Sequence, residues 1–135
     1  MTELTLAATV ENITAVTAFI DEQLEALNCN MKAQMQIDVA IDELFGNIAH
    51  YAYADVCGDA TVRFDFDEDT RTAGVTFIDS GVPFNPLERD DPDVTLSAEE
   101  RGIGGLGIFM VKKSMDGMEY NYENGSNILT IYKQI

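Results

Sequence analysis

The chain is short of the residues that most function classes need. It has no tryptophan, one histidine (His50), two cysteines (Cys29 and Cys57), three prolines, and eight lysines and arginines against 24 acids. Two cysteines at that separation make neither a disulfide framework nor a zinc spacing, so both read as free thiols of a reducing compartment. A single histidine leaves no Ser-His-Asp or Cys-His constellation to build. Phosphate-backbone contacts need clustered lysine and arginine, and a formal charge of −16 with scattered basic residues argues against a nucleic-acid partner. No apolar run approaches the ~20 residues of a membrane helix. The N-terminus, MTELTLAATVENI, has no basic region before an apolar stretch and does not read as a signal peptide. No membrane association and a cytoplasmic location are the expectation.

What remains is a globular chain. With 135 residues and 46% hydrophobic composition, positions 1–135 form one domain able to bury a real core. Residues 3–9 read as a strand. Asn12 is placed to cap a helix carrying Ile13, Val16, Phe19, Ile20, Leu24 and Leu27 on one face. Asn30 starts a second helix through Tyr53, with Ile37, Ala40, Ile41, Leu44, Ile48 and Ala52 at core spacing. Strands at 60–66 and 73–79 flank a hairpin connection, DEDTRT. The Asp65, Asp67, Asp69 alternation has calcium-loop spacing, but Thr70 replaces the turn glycine and Thr76 the bidentate acid. A helix at 105–116 and a hairpin of 118–123 and 127–135 about Asn124-Gly125 complete the order. The economical architecture is α+β: one mixed, mostly antiparallel sheet with three helices on one face, a two-layer sandwich.

Three motifs carry candidate chemistry. Glu43 and Asn47 lie four apart on the second helix and therefore share a face, an acid that could act as general base beside a magnesium ligand. Alone, E-x-x-x-N fits an ordinary exposed polar face better. Asp79 ends an apolar strand before Ser80-Gly81-Val82-Pro83-Phe84. A carboxylate there can accept from adenine's exocyclic amine, and Gly81 lets a flat base approach the backbone; the same acid also fits a plain turn. The run Gly102-Ile103-Gly104-Gly105-Leu106-Gly107 matches G-x-G-x-x-G, yet LSAEER before it is no strand, so the dinucleotide reading fails. The glycines still open a helix whose free amides and dipole suit phosphate, with Arg101 beside them. Tyr51 and Tyr53 could flank a nucleotide, though aromatics at a helix end more often pack.

In this order the three motifs resemble the nucleotide-binding boxes of the GHKL ATPases, the superfamily of gyrase, histidine kinases and the bacterial anti-sigma-factor serine kinases. The resemblance runs from about Leu4 to Tyr132, and the short chain is most similar to the anti-sigma serine kinases. It implies the Bergerat-type ATP-binding fold. It also implies ATP and Mg²⁺ as ligands, Glu43 as general base toward a serine hydroxyl and Asn47 as magnesium ligand. Asp79 and Gly81 would hold adenine, Gly104, Gly105 and Gly107 would wrap the phosphates with Arg101 near them, and residues 87–103 would be an ATP lid. The implied partners are a small anti-sigma-antagonist-type protein as substrate, a sigma factor or similar regulator, and a second copy of the chain as homodimer. One departure stands out: many members carry histidine four residues after the asparagine, where this chain has Tyr51 with His50 one earlier. The rivals are a non-catalytic nucleotide-binding module that sequesters a partner, with Glu43 vestigial, and an interaction domain independent of ATP.

Overall fold

Alternation of apolar side chains decides the sheet. The computed structural model describes residues 1–53, 58–88 and 106–135. Those residues hold five strands: β1 (Thr2–Ala7), β2 (Asp59–Asp67), β3 (Thr72–Asp79), β4 (Gly117–Glu123) and β5 (Ser126–Gln134). Their spatial order is β1-β2-β3-β5-β4, and every neighbouring pair is antiparallel. Successive side chains on a strand point to opposite faces. One face therefore gathers Val62 and Phe64 of β2, Val75 and Phe77 of β3, and Leu129 and Ile131 of β5, all buried.

Three helices cover that face: α1 (Ile13–Ala26), α2 (Met31–Asn47) and α3 (Leu106–Ser114). Their apolar residues recur every three or four positions, the signature of a helix with one stripe in the core. Val16, Ile20 and Leu24 of α1 meet Ile37, Ile41 and Phe45 of α2 and Ile108 and Val111 of α3 in a single cluster with the sheet residues. The result is the two-layer α+β sandwich expected from the sequence. On the other sheet face polar side chains pair across strands, Thr5 with Thr61 at 2.8 Å and Thr76 with Thr130 at 2.9 Å. Among the described residues no helix is long and apolar enough to cross a membrane.

Two helix ends differ from the sequence reading. Asn30 caps α2, its Oδ1 accepting from Ala33 N at 2.8 Å. Asn12 occupies the corresponding position before α1 but makes no cap bond; its Nδ2 donates backward to Ala7 O at 2.7 Å, fastening a short 3₁₀ turn (Val10–Asn12) to β1. The helix expected to run to Tyr53 stops being α-helical at Asn47 and widens into a π-helical turn, Ile48–Ala52. Such widened turns recur at functional sites. Here the carbonyl of Ala52 accepts from Val82 N at 3.0 Å, tying the helix end to the segment after β3.

Candidate functional site

The register of the sheet brings the site together. Asp79, last residue of β3, lies opposite Asn127 near the start of β5, and both are buried, each 6% exposed. They face the helix layer because they continue the inward alternation of Phe77 and of Leu129. Above them α2 and its π-helical turn bring Asn47, Ile48, Tyr51 and Ala52 to the same place. The space enclosed is a cavity of about 120 Å³, with Val82, Pro83, Phe84 and Tyr120 completing its walls. Apolar walls with a few convergent polar groups are the usual make-up of a small-molecule site.

Asp79 uses its two oxygens unequally. Oδ1 accepts from Gly81 N at 2.9 Å and from Asn127 Nδ2 at 3.0 Å, while Oδ2 has no donor among the described residues. Gly81 is required by the protein itself: a Cβ there would overlap the carbonyl of Ala52. The backbone of this turn is further held by Tyr53, whose hydroxyl accepts from Ser80 N at 2.8 Å and donates to Asp59 O at 2.7 Å. Tyr53 thus fastens the turn, whereas Tyr51 lines the cavity and is 64% exposed. His50 is exposed, its ring tilted against Tyr51 at 5.9 Å between centroids.

Glu43 is not a wall of the cavity. It lies one helical turn before Asn47, and its carboxylate sits directly against Gly107 in the first turn of α3, where any added Cβ would overlap it. The dipole and free amides of a helix start favour a negative group at that place. Helix α2 thereby links the cavity, through Asn47, to the start of α3, through Glu43. Asn47 makes no side-chain hydrogen bond among the described residues, so its carboxamide oxygen is available as a hard donor. Among the described residues no cluster of three His, Cys, Asp or Glu could hold a metal. A magnesium ion shared between Asn47 and phosphate oxygens fits this donor set, because magnesium retains waters and takes few protein ligands.

Of the residues named from the sequence, Asn47 and Asp79 share the cavity, Gly81 shapes its rim, and Glu43 meets Gly107. Arg101, Gly104, Gly105, Cys57 and positions 89–103 of the expected lid lie outside the described residues. Sequence reading missed Asn127 and Tyr120. Asn127 left a faint signal, a polar residue at an inward-facing position of an otherwise apolar strand.

An antiparallel sheet under three helices, with a strand-end carboxylate and a helix-borne asparagine around one apolar cavity, is a two-layer α+β sandwich with a candidate site between its layers. The chain belongs to the family described as the histidine kinase-like ATPase domain, whose profile matches residues 6–133. It is similar to the serine-protein kinase RsbW of Bacillus cereus, 30% identical over 95 residues, and to that of Bacillus mycoides, 28% identical over 95 residues. Each alignment covers 67% of this chain and 58% of the relative, so the chain spans little more than half the length of the relatives it matches. Among solved structures it is similar to the RsbU and RsbW domains of a Mycobacterium tuberculosis protein, with a TM-score of 0.65 and 16% identity. That match covers 99% of this chain and 32% of the other. A second is the histidine kinase domain of a blue-light activated histidine kinase from Erythrobacter litoralis, with a TM-score of 0.56, 16% identity and coverage of 90% and 60%. At these identities the two structures establish the fold alone.

Proposed function

We propose that the protein is an ATP- and Mg²⁺-dependent serine kinase whose substrate is a small protein of the anti-sigma-antagonist type, and that it also binds a sigma factor or similar regulator. The observation that carries this reading is the shared cavity of Asn47 and Asp79, which come from different layers of the fold and from motifs that the family uses for nucleotide. The similarity to serine-protein kinase RsbW supports the acceptor class.

Each residue has a task in this chemistry. Asp79 Oδ2, with no donor among the described residues, accepts from the exocyclic amine of adenine. Asn47 holds the divalent ion that neutralises phosphate charge when bound. The amides at the start of α3 take the phosphates, and Arg101, beside the glycine run in sequence, is the cation assigned to them. Glu43 takes the proton from the acceptor serine hydroxyl as its oxygen bonds to the γ-phosphorus and the bond to ADP breaks. Phosphoryl transfer relies on positioning and charge stabilisation, so one proton-accepting carboxylate is enough on the protein side.

Binding of ATP with magnesium should raise the thermal midpoint of the purified protein. Asp79→Asn replaces an acceptor by a group that can donate toward the amine and should weaken adenine nucleotide binding by roughly 10–100-fold, the scale of one hydrogen bond to a charged partner. Calorimetry that registers no heat from adenine nucleotides, with or without magnesium, would falsify the reading. Binding without transfer of label from ATP to any serine acceptor would leave a nucleotide-dependent regulatory module.

A further inference from the structure

Asn127 lines the cavity with every hydrogen-bonding position of its carboxamide filled. Nδ2 donates to Asp79 Oδ1 at 3.0 Å and to Val82 O at 2.9 Å. Oδ1 accepts from Phe84 N at 3.0 Å and from the hydroxyl of Tyr120. Two donors and two acceptor positions are all that a carboxamide has. Its orientation is fixed by these partners, because reversing the amide would set its NH₂ against the Phe84 N–H and its oxygen against Asp79 and the Val82 carbonyl. Three separate pieces of chain, β3, the segment after it and β4, therefore meet on one side chain.

We infer that Asn127 is a positioning residue that sets which purine the cavity accepts. By donating to Oδ1 together with Gly81 N, it leaves Oδ2 as the one carboxylate oxygen of Asp79 turned to the ligand. A carboxylate oxygen held in that way accepts and does not donate. It matches a base that presents an exocyclic amine and repels one that presents a carbonyl at the same position. The inference rests on the proposed nucleotide reading and adds to it a determinant of base selectivity contributed by the strand opposite Asp79.

Adenosine and inosine test this directly, since they differ at that exocyclic position and carry no phosphate. Titration calorimetry of the wild-type protein at about pH 7.5 should show adenosine favoured over inosine by tenfold or more, the scale of one matched charged hydrogen bond. Asn127→Asp keeps the side-chain volume but sets an oxygen against Asp79. The adenosine-to-inosine ratio should fall to about threefold or less. Asn127→Ser, neutral and too short to span both Asp79 and the Val82 carbonyl, serves where the charged variant does not fold, and its ratio should fall too. A role in packing alone would lower affinity for both nucleosides together and leave the ratio unchanged in either variant, which overturns the inference while the nucleotide reading stands. Wild-type protein that binds ATP with magnesium but neither nucleoside overturns this inference alone, and protein that binds no adenine nucleotide overturns that reading and this inference with it.

Discussion

At its Thr72 end strand β3 joins a hairpin closed by Arg71, and at its Asp79 end it opens on the cavity. Both ends are rich in polar groups, and they commit them differently. Arg71, with a left-handed φ of 51°, donates from Nη2 to Leu27 O at the end of α1 at 2.9 Å and from Nε to Ile135 O at 3.2 Å. Its guanidinium lies 5.5 Å from the centre of the Phe66 ring, and its carbonyl accepts from Ile135 N at 2.8 Å. One side chain there ties a helix end, a hairpin and the residue that follows β5. At the opposite end Asp79 Oδ2, the Asn47 carboxamide and the Glu43 carboxylate have no hydrogen-bond partner among the described residues. Polar groups bonded to the protein contribute stability. Those held in place yet unbonded are a means of recognising something else, at a cost in desolvation that a ligand can offset.

If that division is right, substitutions at the two ends should separate cleanly in what they change. The largest effect belongs to Glu43→Ala. Removing a general base lowers proton-coupled transfer by about 10²–10⁴-fold, so label transfer from ATP to a serine acceptor should fall at least a hundredfold while adenosine affinity stays within about twofold. Equal losses of transfer and adenosine affinity would show Glu43 to be part of the fold of the cavity and not of its chemistry. Arg71→Ala should do the reverse. Losing two charged hydrogen bonds at an exposed site should cost about 2 kcal/mol and lower the thermal midpoint by about 7 °C, with adenosine affinity and transfer rate unchanged below the midpoint. A change in nucleotide affinity on Arg71→Ala would mean that the two ends are coupled through β3, and the comparison would fail.

The same contrast explains what could be read from the sequence. The Arg71 end is invisible there, because its contacts join residues 44 and 64 positions apart through backbone carbonyls that carry no sequence signal. The helices and the central strands were legible through periodicity: Ile37, Ala40, Ile41 and Leu44 are buried as the three-and-four spacing requires. Local chemistry was less reliable at helix ends. Asn12 and Asn30 look alike in sequence, yet only Asn30 caps, since the 3₁₀ turn before α1 draws the Asn12 side chain back to Ala7. The pairing of Asp79 with Asn127 depends on strand register across 48 positions, which no local pattern fixes. The π-helical turn that sets Ala52 against Gly81 has no propensity signature either, and it changes why Gly81 must be glycine.

One pair on the Arg71 side breaks the pattern and gives the smallest expected effect. Asp21 of α1 and Asp38 of α2 face each other across the helix seam, and Oδ1 of each is buried without a hydrogen-bond partner. Burial, a hydrogen bond to Asp21 and the charges of Asp21 and Glu25 push the Asp38 carboxyl up to about 7 from an ordinary value of 3.8. The folded protein therefore holds a proton between about pH 4 and pH 7 that the unfolded chain has already released. Because the folded value lies above the unfolded one, this contribution to stability is fully present below about pH 4, declines as pH rises through 7, and is absent beyond. The seam is partly open to solvent, so the effect should be near 1 kcal/mol once screening is allowed for. Asp38→Asn supplies a permanent donor and should flatten the dependence, leaving stability at pH 4 little changed and raising the thermal midpoint at pH 8 by about 3 °C. Denaturation scans from pH 4 to 8 that slope equally in both proteins would place the proton elsewhere. A variant that instead alters adenosine affinity would show this seam to serve the cavity and not the scaffold.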